Sequence, residues 1–122
     1  MLIIRPEQLE PLGISSTGEY QRWLECHLRR FFPEHCAAMT DSMLQDTIRL
    51  GMGKAARYGL QSRRDICRFM DAMFALGAEF DQNPAIPWAG EILRSKHMSP
   101  SMRAFALVRR LQREVSAAAA RN

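Results

Sequence analysis

The sequence predicts an all-α protein, a compact single-domain bundle of five to six helices. Three observations predict it. Helix-starting and helix-stopping residues recur along the chain, apolar residues return at three- and four-residue intervals, and β-type alternation is nearly absent beyond the first four residues. A length of 122 residues leaves no room for two ordinary cores. With 47% hydrophobic and 25% charged residues, one core can form without disulfides or metal.

Residues 1–17 read as a short N-terminal segment. Pro6 suits the first position of a helical turn over Glu7 to Leu12 that Gly13 ends. Ser16 and Glu19 have capping-box spacing at the start of the first long helix, expected from about Gly18 to Phe32. On that helix Tyr20, Trp23, Leu24, His27, Leu28 and Phe31 share one face, and Arg22, Glu25, Arg29 and Arg30 lie mostly opposite. Pro33 ends the helix or restarts it as a short turn through Ala38.

Thr40 or Asp41 caps the next helix, which runs to Tyr58 before Gly59 supplies a left-handed stop. Leu44, Ile48, Met52 and Ala55 line its core face, while Met43 and Leu50 form a second stripe around the side. Gly51 and Gly53 each cost roughly 1 kcal/mol of helix propensity relative to alanine, so a close helix approach or a kink is expected there. Ser62 caps a third, central helix in which Ile66, Phe69, Met70, Met73, Phe74, Leu76, Gly77 and Phe80 fill a wide apolar arc. Arg64, Arg68, Asp71 and Glu79 are expected on its solvent side.

Asp81-Gln82-Asn83-Pro84 breaks the chain, and Pro87-Trp88 opens a short helix through about Arg94. Ser99 and Pro100 are a strong start for the last helix, which runs into an alanine tract. Residues 116–122 have little to pack against, and fraying is expected there.

The first residues lack a signal-peptide core, and no apolar run approaches the ~20 residues of a membrane span, so a cytoplasmic, membrane-free protein is expected. Cys26, Cys36 and Cys67 are odd in number and widely spaced, and read as reduced, buried thiols. The net charge of +4 is uneven: residues 1–61 carry seven Lys/Arg against seven Asp/Glu, residues 62–122 ten against six. The excess can form a basic face for an acidic partner.

Cys26-His27 and His35-Cys36 contain zinc-ligand residue types, but neighbours on a helix point about 100° apart and no Cys-x-x-Cys spacing exists. No metal or cofactor is expected. Pairing Cys36 with His35, His27 or His97 as a nucleophile has nothing to select one pair, and no two carboxylates are placed for acid–base work. No enzyme is expected.

The last helix carries more information. Arg103, Arg109, Arg110 and Arg113 fall within about a third of its circumference, and Ala104, Leu107, Val108, Leu111 and Val115 take the facing arc. The apolar arc can pack on the core, leaving the arginines to meet carboxylates or phosphates, or simply solvent. Nucleic acid is disfavoured, since the helix after Ser62 is too apolar for a groove and carries no Asn or Gln. Among eight methionines, Met43 with Leu50, and Met98 with Met102, are candidates for exposed, adaptable contacts. Phe31, Phe32 and Trp88 are large enough to anchor an interface, although burial is the commoner fate.

Several segments together resemble a family of small helical proteins encoded beside effector, adaptor and spike-tip genes in bacterial type VI secretion clusters. They are Ile4-Arg5-Pro6-Glu7-Gln8, Phe32-Pro33-Glu34-His35-Cys36, Tyr58-Gly59-Leu60 with Arg64-Asp65-Ile66-Cys67, Phe69 to Phe80-Asp81, and Pro84 to Pro87-Trp88-Ala89. These are packing and turn signatures without catalytic content, and the last helix adds little. The resemblance implies a co-chaperone or adaptor partner that holds an effector, its adaptor chaperone or a spike-tip protein in the cytoplasm before loading. An immunity protein that neutralises a toxin is the alternative, with a small nucleic-acid-binding regulator behind it, and a homodimer is left open. The net basic charge disfavours inhibition of a nuclease toxin.

Overall fold

The computed structural model describes residues 17–121, and among them there are six α-helices, one 3-10 turn and no strand. The helices are α1 (Thr17–Phe31), α2 (Pro33–Ala37), α3 (Asp41–Arg57), α4 (Arg63–Leu76), α5 (Pro87–Leu93) and α6 (Pro100–Arg121), with the 3-10 turn at Phe80–Gln82. The turn expected over residues 7–12 and the capping role of Ser16 lie outside the described residues.

Local chemistry sets the boundaries. Thr40 Oγ1 accepts the Met43 amide at 3.1 Å at the start of α3, Ser62 Oγ accepts the Asp65 amide at 3.1 Å at α4, and Ser99 Oγ accepts the Met102 amide at 3.2 Å at α6. Pro33, Pro87 and Pro100 each occupy the first turn of a helix. Gly59 ends the α3 segment at φ +82°, as the sequence predicts.

The main departure is the end of α4. The apolar arc predicted a helix continuing towards Phe80, but Gly77 takes φ +111° and the helix stops at Leu76. Phe80 still reaches the core, delivered by the 3-10 turn, and its ring lies 5.2 Å from that of Phe69.

Helix α4 is the centre of the molecule. It lies along α6 and touches α1, α3 and the 3-10 turn, while α5 bridges that turn and α6. One contiguous core runs from Leu24 and Leu28 of α1 through Leu44 and Ile48 of α3 and Phe69 and Met70 of α4 to Leu107 and Leu111 of α6. Each such side chain, fully buried, contributes roughly 1.5–3 kcal/mol of transfer free energy. Gly51 is where α4 presses on α3: a Cβ there would collide with Met70 and stand 2.8 Å from Met73 Cε. Gly53 is exposed with open space around it, and nothing in the structure requires glycine there.

Among the described residues, no helix is long and apolar enough to cross a membrane. Cys36 and Cys67 are buried free thiols, whereas Cys26 is exposed, on the outer side of α1, where burial was expected.

Candidate functional site

Helix α6 presents two unlike faces. Ala104, Leu107, Val108 and Leu111 are buried against the core, as the periodicity predicts. Val115, placed in the same arc, is 44% exposed because the helix there has run past the core. On the opposite side Met102 and Phe105 are 57% and 51% exposed. At 100° per residue, Met102, Phe105, Arg109 and Arg113 fall within about 80° of one another, so they form one solvent-facing ridge. Arg109 and Arg113 are exposed, and neither has a carboxylate partner among the described residues. Two guanidinium groups lie over the Phe105 ring, with Arg68 Cζ of α4 at 5.5 Å and Arg109 Cζ at 5.8 Å from its centroid.

Arg103 and Arg110 of this helix face the fold. Arg103 Nη1 donates to the Tyr58 carbonyl at 3.0 Å and to the Leu93 carbonyl at 2.7 Å, tying the ends of α3 and α5 to α6. Its expected place on a free basic face is therefore corrected. Arg110 pairs with Glu114 at 2.8 Å and stacks over Trp88, 5.1 Å from the ring centroid. Met98 is half-buried, and Trp88 and Phe31 are partly covered by the core that buries Phe32.

Met43 and Leu50 are exposed on α3, 53% and 45%. Leu50 stands at the rim of a 430 Å³ polar cleft lined by Lys54, Arg57, Tyr58, Glu79, Asp81 and Gln82. At its floor Lys54 and Tyr58, one helical turn apart, converge on Asp81: Lys54 Nζ is 2.7 Å from Oδ1 and the Tyr58 hydroxyl donates to Oδ2 at 2.6 Å. Lys54 also donates to the Ala78 carbonyl at 2.5 Å, so α3 holds the 3-10 turn by a charge-assisted clasp. Burial by itself would raise the Asp81 pKa, but the Lys54 and Tyr58 hydrogen bonds outweigh it and hold the carboxyl below its ordinary value. Burial, then the bond to Asp81, push the Tyr58 hydroxyl up.

A second polar cluster is sealed between α1 and α4. Asp71, expected on the solvent side, is fully buried, and its Oδ1 lies 2.8 Å from His27 Nε2. Cys67 Sγ stands 3.7 Å from the same nitrogen. Burial raises the Asp71 carboxyl against the lowering effect of His27, and burial, then the Asp71 carboxylate, drive the Cys67 thiol well above its ordinary range. A nucleophilic cysteine needs a low thiol pKa, access, and an imidazole oriented by a group on the nitrogen opposite the thiol. Here thiol and carboxylate meet at one nitrogen, and the thiol is fully buried. The tetrad of Cys26, His27, His35 and Cys36 does not assemble either, because Cys26 and His35 are exposed while His27 and Cys36 are buried.

Sequence reasoning missed this cluster although a signal was present: Cys67 and Asp71 are four residues apart, so they project from one side of α4. Phe105 was missed too, three residues beyond Met102 on the same ridge. No protein-family model, curated protein or solved structure matches the chain.

Proposed function

We propose that the protein is a non-catalytic binding module that docks an acidic, apolar-faced segment of a protein partner on the outer ridge of α6. The observation that carries it is the juxtaposition of the half-exposed Met102 and Phe105 with Arg109 and Arg113. An apolar pair flanked by cations suits a partner offering apolar side chains and carboxylates together, and the Arg109 guanidinium lies over Phe105 with no carboxylate partner among the described residues. The resemblance to accessory proteins of type VI secretion clusters supplies the context: the partner is then an effector, its adaptor chaperone or a spike-tip protein, held in the cytoplasm before loading. Met43 and Leu50 on α3 are the second candidate surface.

Affinity capture of the tagged chain from its native cytoplasm, with mass spectrometry of what it retains, tests this. Recovery of an effector or adaptor by the wild type, reduced at least tenfold by Met102→Ser with Phe105→Ser or by Arg109→Glu with Arg113→Glu, is the expected outcome. Full retention by both variants would remove the α6 ridge, and the same experiment with Met43→Ser and Leu50→Ser then examines α3. A captured toxin whose activity is abolished in the complex would favour the immunity alternative. Recovery of nucleic acid alone would sink both.

A further inference from the structure

The docking reading leaves the sealed cluster between α1 and α4 without a role. Buried polar groups in folded proteins are nearly always hydrogen-bonded, because an unpaired one keeps its desolvation cost. Two atoms of this cluster break that rule: His27 Nδ1 and Asp71 Oδ2 are buried with no partner among the described residues. Asp71 and Cys67 are wholly buried, His27 is 5% exposed, and the donor atoms of the three lie within 4.8 Å of one another. A histidine, a cysteine and an aspartate converging in a dry core are costly as an isolated hydrogen-bonded group and well matched as a ligand set.

We propose that His27, Cys67 and Asp71 form a structural site for a zinc-class divalent transition metal, bound through His27 Nε2, Cys67 Sγ and both carboxylate oxygens of Asp71. Charge and donor count agree. A thiolate, a carboxylate and a neutral imidazole around a dication sum to zero, which suits a core that tolerates no net charge. The Cys67 thiol proton leaves to solvent as the metal enters. Bidentate Asp71 brings the donor atoms to four, its two oxygens sharing one corner of a distorted site, and uses its orphaned Oδ2; His27 Nδ1 then carries the imidazole proton, without a partner among the described residues.

Two of the three edges fit with a small adjustment, and the sulfur-to-carboxylate edge, up to 4.8 Å, has to close by up to about 1 Å. In a tetrahedral zinc site the nitrogen-to-sulfur and nitrogen-to-oxygen edges are about 3.6 and 3.3 Å. Here they are 3.7 and 2.8 Å. The His27–Asp71 edge therefore opens by about half an ångström, within side-chain adjustment. Around the imidazole the rings of Trp23, stacked at 5.2 Å, and Phe31, at 4.9 Å, form an apolar wall on the α1 side. Such a wall shields metal–ligand bonds from water, and a metal here would clamp α1 to α4.

The test is a Co²⁺ titration of the full, reduced chain after chelator treatment, followed by displacement with Zn²⁺. Expected are a thiolate-to-cobalt charge-transfer band saturating at one equivalent, its disappearance on adding Zn²⁺, and a Tm raised by roughly 10 °C at Zn²⁺ a hundredfold above Kd. The double variant Cys26→Ser/Cys36→Ser should keep the band and Cys67→Ala should lose it. Because Cys67→Ala can fail to fold, the wild-type titration and the double variant decide. No thiolate band in the wild type, or a band that vanishes in Cys26→Ser/Cys36→Ser, would overturn the assignment and leave the cluster a hydrogen-bonded core contact.

Discussion

Single residues do different work here from what their types suggest. Arg103 looks like surface charge but supplies two hydrogen bonds to carbonyls at helix ends. Removing it with Arg103→Ala should cost about 1–3 kcal/mol, since those acceptors lose a charged donor. Gly53 is the converse: exposed inside α3 with open space where a Cβ would stand, it weakens a helix for no local return, and Gly53→Ala should stabilise the protein by about 0.5–1 kcal/mol. Urea denaturation at neutral pH measures both. Asp81 gives a pH dependence. Its carboxyl is held below the ordinary value in the folded chain, so its contribution is fully present above that ordinary value, near 4. It is lost as pH falls through the depressed native value. Wild type should therefore lose more stability between pH 5 and pH 3 than Asp81→Asn, in which that carboxylate no longer titrates; equal losses would show that the clasp does not couple to protonation.

At the scale of elements, the end of α4 is decided by one backbone conformation. Gly77 combines φ +111° with ψ +157°, a region in which side chains are strained although no neighbouring atom lies within 4 Å of a Cβ there. Gly77→Ala should cost about 1–3 kcal/mol through the backbone alone. At the other extreme, residues 116–119 extend α6 with exposed side chains beyond the core. Truncation after Ser116 should leave the thermal midpoint within about 2 °C of the full chain, because the described side chains it removes, 117–119, are exposed. A larger fall would mean that the tail contacts something the core does not reveal. The helix starts were legible because Ser, Thr and Pro act within one turn of where they stand, as at Thr40, Ser62, Ser99 and Pro100. The end of α4 was less so: the apolar pattern carries on to Phe80, and nothing local says that Phe80 reaches the core from a 3-10 turn.

For the whole molecule, α4 serves as an axle, with α1 and α3 against it and α6 lying along it. This arrangement separates a buried ligand-like cluster at the α1–α4 seam from an exposed apolar and cationic ridge on α6. Substitutions on the ridge should therefore change partner capture with little effect on stability, and substitutions in the seam should do the reverse. Paired melting and capture measurements on Phe105→Ser and His27→Gln check this; a loss of both properties in Phe105→Ser would mean that the ridge supports the fold.

By itself the sequence determined the helical class, the caps and the azimuth of each side chain, because these depend on 3.6-residue periodicity and contacts within a turn. Leu24, Ile48, Phe69 and Leu107 were legible as core for that reason. Only the tertiary structure decided the fate of residues at the edges of the apolar arcs. Asp71 lies about 40° from Cys67 around α4, and whether that edge is wet or dry depends on how closely α1 packs there. Arg103 likewise turns inward because the ends of α3 and α5 bring unpaired carbonyls to it, and Phe105 stays outside because no helix arrives to cover it. Periodicity gives a side chain its direction, and only the packing of distant segments puts a neighbour, or solvent, at the end of it.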